Sequence, residues 1–459
     1  MSSENSTVLG VVVLTRHGDR QGFYQSPDTY TAAETAITPL GLSQEYQLGQ
    51  LTRNLYFSPS SPSVISGIST GLFDQNQVRI RADAGGEGGV IFESALALAQ
   101  GVWPAETGFN TTLANGTTVI APLGGYQYVP IESVEPDTDV SLEGWTDCNT
   151  FNNATAAFYN STEFKQVANA SADFLASLRP LVGPERPLKL TNMWNIFDFL
   201  NVQSIHDRNL SSQIAPGTLA QARALANWHQ YRTFSSAQMD GIGNIAGRTV
   251  LPDILTSLNA FANSSQPLRF TYLSLSYKPF ISLFNMTGVA QSNSQLAGIV
   301  NYASSITFEL RQPSSGSAPV VRMSFKNGSD DASFATYGMF GGQGDTLLVD
   351  FTSRLSPYQV DDLETWCTAC DNWTDRKCNL VAAAASASAS ISHHAPVSAV
   401  GAGFIGAGVT IAVFLAALGV LAFMGLIVFG RKHKRGTNTP ILPVLGRESS
   451  TSSKGPSEK

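Results

Sequence analysis

The hydrophobic residues near the start of the chain form an unbroken run. Val8 to Leu14 shows no alternation with polar residues, the pattern of a strand buried on both faces, as in a parallel sheet. Thr38 to Tyr56 has helical spacing and predicts a helix with Leu40, Tyr46, Leu48, Leu51 and Leu55 turned to the core. "QVRIRAD" predicts a second strand and its exit loop, and Val90 to Trp103 the helix after it. Strand, loop and helix repeated in this way indicate an α/β fold.

From Ala105 to Gln266 the pattern becomes polar and helical, clearest in "TLAQARALANWHQYRTF". Strand-like runs return in "LRFTYLSLSY", "SITFELRQ" and "VVRMSFKNG". The expected architecture is therefore α/β, a mainly parallel doubly wound sheet with a large mostly helical insertion. One domain spans 1–380, with its core in 8–104 and 267–380 and its insertion in 105–266.

A different pattern closes the chain. Gly401 to Gly430 contains no charged residue, and roughly 20 apolar residues suffice to cross a bilayer. "RKHKR" follows at once, a basic flank that places the tail in the cytosol. The reading is a single-pass transmembrane helix at 401–430, an Ala/Ser-rich stalk at 381–400, and a basic, Ser-rich, disordered tail at 431–459. The bulk of the chain then lies extracellular or lumenal.

Asn-x-Ser/Thr sequons at Asn5, Asn110, Asn115, Asn153, Asn160, Asn169, Asn209, Asn263, Asn285, Asn327 and Asn372 all precede the apolar segment, as expected of a glycoprotein. Cys148, Cys367, Cys370 and Cys378 lie on the same side and suggest two disulfides with three possible pairings. A zinc site at Cys367-x2-Cys370 lacks a second pair of ligands, so no metal is expected. "MSSENSTVLG" has no basic region and apolar run of a secretory signal, so an incomplete start or an unusual route of export is expected, ahead of the alternative of a tail-anchored protein with its body in the cytosol.

Charge narrows the partners. The net charge is -7, but the residues from Arg431 onward carry seven basic groups against two acidic ones, a tail of +5 on a body of -12. An acidic body argues against nucleic acid as the ligand. Any anion site must then be a local cluster of arginines.

Such a cluster stands at the end of the first strand. Ligands of open α/β sheets bind beyond the carboxyl ends of strands, and "RHGDR" puts Arg16, His17 and Arg20 there. Two guanidinium groups beside an imidazole can hold phosphate oxygens while a ring nitrogen faces phosphorus. The plainer alternative, a surface loop with solvated arginines, does not account for the buried strand that leads into it.

Here the sequence resembles the histidine acid phosphatases, the branch of the histidine phosphatase superfamily that includes acid phosphatases and phytases. The matching segments are "LTRHGDR", "TPLGLSQEYQLGQLTRNLY", "IRAD" with "SALALAQGVWP", and "YASSITFEL", in this order over most of residues 8 to 312. The resemblance implies a phosphoglycerate-mutase-like fold. It also implies a phosphoric monoester hydrolase of the acid phosphatase type, in which His17 takes the phosphoryl group as a covalent intermediate. Arg16, Arg20 and Arg81 would clamp the phosphoryl oxygens. Arg79 shares the strand face of Arg81, and Arg81 is chosen because it stands at the strand end. No cofactor is implied, and the partner is a phosphomonoester substrate.

The chain departs from the family in one important place. The family carries a His-Asp pair after a strand, the Asp protonating the leaving alcohol; here Ser276 and Tyr277 stand at those positions. His206-Asp207 comes about 70 residues too early and reads as a loop or helix-cap pair, and His229 as a packed helical residue. "RADAGGEGG" brings Asp83 and Glu87 into a glycine-rich loop, where Glu87 is the candidate replacement acid against the alternative of a tight turn. Those glycines are not a nucleotide cradle, since no Lys-Ser/Thr follows.

General acid catalysis is typically worth about 10²–10⁴-fold, so its loss would leave phosphate binding and slow transfer from good leaving groups. Two functions follow from this: a membrane-anchored phosphomonoesterase acting through phosphohistidine, and a catalytically impaired pseudophosphatase that binds a phosphorylated ligand or partner. Transfer of phosphate between hydroxyls uses the same first step. Substrate choice would reside in residues 105–266.

Overall fold

The computed structural model describes residues 6–384 apart from 31, 87–88 and 314–315. The apolar segment 401–430, the stalk beyond residue 384, the tail and Glu87 lie outside the described residues. Among the described residues no helix is long and apolar enough to cross a membrane.

The main sheet is built from β1 (Thr7–Arg16), β2 (Val78–Asp83), β5 (Glu132–Val134), β6 (Phe270–Leu275), β7 (Ser305–Gln312), β8 (Val320–Lys326), β9 (Ala335–Tyr337) and β10 (Thr346–Leu347). β3 (Asn110–Thr112) and β4 (Thr118–Ile120) form a separate hairpin. The strand order is β10-β8-β7-β1-β6-β2-β5, with β9 on β8. β1, β6, β2 and β5 run parallel, and this half carries the site. β7, β8, β9 and β10 pair antiparallel, so the expectation of a mainly parallel sheet describes the first half and a mixed sheet describes the whole.

Both faces of the central strands are covered, which is why Val8 to Leu14 shows no alternation. Val11 and Val13 join Ile80 and Tyr272 under helices α1 (Pro39–Tyr56) and α2 (Val90–Val102). Val12 and Leu14 join Leu273 and Leu275 in the larger core on the other face. That core includes α3 (Asn149–Asn160), α4 (Met193–His206), α5 (Pro216–Thr233), α6 (Ile245–Ala262) and α7 (Lys278–Met286). Residues 105–266 are mostly helical, as expected, but they also return β5 to the sheet edge.

Helix α1 begins where expected, with the Thr38 hydroxyl accepting from Gly41 N at 3.1 Å, yet its buried face differs from the reading. Leu40 and Tyr46 are exposed, Leu51 and Leu55 are partly buried, and Gly41, Glu45, Leu48, Gly49, Thr52 and Tyr56 face inward. The reason is a close approach of α2. A Cβ on Gly49 would sit 2.2 Å from Leu98 O, and one on Gly101 would sit 2.3 Å from Tyr46 O. The helix meets its neighbour through small residues beside Leu48, which is buried as expected, and Leu51 and Leu55 lie to the side.

His229 is a packed helical residue, as read. Its ring lies 4.8 Å from that of Trp194 and 5.4 Å from that of Tyr159, and its Nδ1 accepts from Gln230 Nε2 at 3.1 Å. Burial depresses its pKa to about 3. The unfolded chain takes up this proton below about pH 6.5, while the folded chain refuses it until about pH 3, so stability is lost as pH falls through that window. The slope is at most about 1.4 kcal/mol per pH unit. We expect His229→Phe to flatten the pH dependence of the urea midpoint between pH 6.5 and 4; an unchanged slope would show that the ring is charged in the fold.

The cysteines pair as Cys148–Cys370 and Cys367–Cys378. The two thiols of Cys367-x2-Cys370 thus enter different disulfides. The first bond ties α8 (Leu363–Cys370) to the residue that precedes α3. Among the sequons, Asn110, Asn115, Asn153, Asn160, Asn169, Asn209 and Asn263 are exposed. Asn285, Asn327 and Asn372 instead hold backbone groups: Asn285 Nδ2 donates to Ser236 O at 2.8 Å, Asn327 Oδ1 accepts from Asn301 N at 2.9 Å, and Asn372 Nδ2 donates to Asp147 O at 2.7 Å.

Candidate active site

The parallel pairing of β1 and β6 ends at Arg16 and Leu275, and one step further the His17 amide donates to Leu275 O at 3.1 Å. The chain then turns through Gly18, whose amide donates to Ser94 Oγ at 3.1 Å. A Cβ on Gly18 would sit 2.4 Å from Gly41 O, and one on Gly41 would sit 2.1 Å from Asp19 O. No side chain separates this loop from the first turn of α1.

This packing fixes the imidazole. His17 Nδ1 lies 2.8 Å from Gly18 O, and a carbonyl only accepts, so the proton of the neutral ring is on Nδ1 and the lone pair is on Nε2. That tautomer is the one a nucleophile at Nε2 requires. The ring is fully buried, 5.5 Å from that of Tyr302.

Beside it opens a cavity of about 400 Å³, lined by Arg16, Arg20, Arg223, Asp198, Tyr277 and Tyr302 among others; His17 is not on its wall. Arg16 donates to Val300 O, with its guanidinium 4.4 Å from the Tyr302 ring and 5.2 Å from the Tyr277 ring. Arg20 makes a two-bond pair with Asp198, at 3.0 and 3.1 Å, and lies 4.4 Å from the Phe23 ring. Sequence reasoning placed both arginines at the strand end, and the structure brings them to one cavity.

Arg81 departs from expectation. It is not on the cavity wall: its guanidinium donates to Asp253, Asp139, Ser141 Oγ at 3.0 Å and Glu132 at 2.9 and 3.2 Å. Burial works against its charge, but Asp253, Glu132 and Asp139 outweigh it and hold the pKa above the ordinary value. Strand alternation turns Arg79 and Arg81 together toward α6, which supplies Asp253, while β5 supplies Glu132. All three carboxylates belong to residues 105–266, where the sequence gives no sign of which side chains return to the sheet. Breaking a buried pair of this kind costs about 3–5 kcal/mol. Arg81→Gln is expected to lose that much in urea unfolding, and a loss below about 1 kcal/mol would contradict the assignment.

The remaining candidates divide. Asp83 is buried, its Oδ1 accepts from Gly85 N at 3.0 Å in the turn after β2, and like His17 it is not on the cavity wall. Asp207 caps a helical turn as read, accepting from Asn209 N and Leu210 N. His206 was missed as a neighbour of the site: its Nε2 donates to Asp19 Oδ2 at 2.7 Å, tying α4 to the His17 loop. Ser276 and Tyr277 follow β6, where the family pair was expected. Ser276 Oγ is buried with no hydrogen-bond partner among the described residues, and the Tyr277 hydroxyl donates to Gln230 Oε1 at 2.8 Å.

Comparison with known proteins agrees with the fold. Human (Homo sapiens) prostatic acid phosphatase is 22% identical over 256 residues, covering 54% of this chain and 61% of that protein. The Bos taurus prostatic acid phosphatase is 21% identical over 265 residues, 56% of this chain and 62% of that one. The match thus spans about three fifths of each relative. Among solved structures, the Citrobacter braakii phytase superposes with a TM-score of 0.52 at 13% identity, covering 79% of this chain and 99% of that one. The phytase of Klebsiella sp. ASR1 gives 0.52 at 14%, covering 78% and 95%. No family model matches the chain.

Proposed function

We propose, on the premise that this chain belongs to the histidine acid phosphatases, that it is a phosphomonoesterase acting through a phosphohistidine at His17. One observation carries the reading. A single loop holds the His17 tautomer with its lone pair on Nε2 and sends Arg16 and Arg20 into one cavity. The ester phosphate docks on the two guanidinium groups, Nε2 attacks phosphorus, and the P–O bond to the leaving group breaks. Water then attacks the phosphohistidine, releasing inorganic phosphate and restoring the ring.

Position 277 supplies a tyrosine held by Gln230 in place of the family's carboxyl, and the leaving oxygen then departs without a proton from that position. Rates across a panel of substrates then depend steeply on leaving-group pKa, with aryl phosphates turned over and alkyl phosphates slower by about 10²–10⁴-fold. A flat dependence would show that an acid is present after all.

A second reading, a binder of phosphorylated ligands without turnover, draws support from the full burial of His17 and from the Tyr277–Gln230 bond. It predicts saturable phosphate binding with aryl ester turnover no faster than buffer. In either case we propose a single-pass membrane protein with its body outside the cytosol. The apolar run at 401–430, the two disulfides and the exposed sequons support that placement.

A further inference from the structure

With Arg81 committed to three carboxylates, the phosphate site expected from sequence lacks its third cation. The cavity holds one from elsewhere. Arg223 on α5 lines it together with Arg16 and Arg20. Its Nη2 donates to Ile299 O at 3.0 Å and to Asn301 Oδ1 at 2.6 Å, and these acceptors are neutral. Arg16 donates to Val300 O, the carbonyl between them in the chain. Two guanidinium groups from different parts of the fold therefore converge on Ile299–Asn301.

The support behind Arg223 is built. Asn301 is held by Asn327, accepting nothing there but donating its amide to Asn327 Oδ1 at 2.9 Å and its Nδ2 to Asn327 O at 3.2 Å, so its own Oδ1 faces Arg223. Asn227, one turn further along α5, accepts from Ile299 N at 3.0 Å. Gly298 lets the helix approach, since a Cβ there would sit 2.4 Å from the Asn227 side chain. The guanidinium is positioned before any ligand arrives, and its planar fork suits an oxyanion.

Like charges confined together are costly. Burial lowers the Arg223 pKa, and the charge of Arg16 lowers it further, with only Asp330 opposing. Around the cavity three guanidinium groups stand against the carboxylates of Asp198 and Asp330. A dianionic phosphate placed between Arg16 and Arg223 relieves their repulsion.

We infer that Arg223 is the third phosphate-binding arginine of this protein, taking the place expected for Arg81 and holding the phosphoryl group of a monoester against Arg16. The inference rests on the phosphatase reading and deepens it.

The test is calorimetric titration of the folded protein with inorganic phosphate and with orthovanadate, for wild type, Arg223→Gln and Arg223→Lys. Arg223→Gln is expected to weaken both anions about 10- to 100-fold, as loss of a charge-assisted hydrogen bond does, and Arg223→Lys to recover part of that loss. Melting curves report folding, and if Arg223→Gln does not fold, Arg223→Lys decides, its affinity being expected to be about three- to tenfold weaker than wild type. Wild-type affinity in Arg223→Gln, or in a folded Arg223→Lys that alone remains, would overturn the assignment and leave the phosphatase reading standing. Absence of anion binding in wild type would overturn both.

Discussion

His17→Ala is expected to bring turnover of an aryl phosphate down by about 10³-fold or more, to the rate of buffer. The imidazole is the group in this loop whose free lone pair can form a bond to phosphorus. Anion affinity is expected to change by less than about threefold, because Arg16 and Arg20 reach the cavity through their own anchors at Val300 and Asp198. The separation of the two effects is the diagnostic result. Rapid quench with a 32P-labelled aryl phosphate should give an acid-labile, base-stable label on wild type and none on the variant. Equal labelling of the two proteins would end the phosphohistidine mechanism.

The second large effect is a gain. Ser276→His with Tyr277→Asp restores the pair that the resemblance led us to expect after β6. A carboxyl at position 277 would stand where Tyr277 now lies against Arg16. Alkyl phosphate hydrolysis is expected to rise by about 10²-fold, while aryl phosphates, whose leaving groups need no proton, change little. The carboxyl donates only when protonated, so the gain grows as pH falls. Tyr277 also anchors Gln230, and the doubly substituted protein is expected to melt at lower temperature. Rates are therefore compared at temperatures where both proteins are folded. A uniform gain over both substrate types, or none, would show that the missing acid is not what limits this chain.

Much of this site was readable because it is local in sequence. Strand β1, the loop at His17 and the cap at Thr38 each depend on neighbours a few residues away, and a buried run followed by Arg-His-Gly-x-Arg carries its own geometry. The inward face of α1 was misread because leucine spacing marks hydrophobicity, while Gly49 and Gly101 decide which side two helices can bring together. Arg81 was misread because strand alternation gives a side chain's face and not what waits there. Asp253 comes from α6, far along the chain. Arg223 carried no local signal at all: it is one arginine in a helix, and its meaning appears only where α5 meets Ile299–Asn301.

The contact of Gly18 with Gly41 also bears on how the cleft opens. Backbone rests directly on backbone there, so the strand-end loop moves only as far as α1 does and cannot act as a flap. The facing wall, with Trp194, Asp198 and Arg223, belongs to the insertion. A substrate is thus received between a floor tied to α1 and a wall supplied by the insertion.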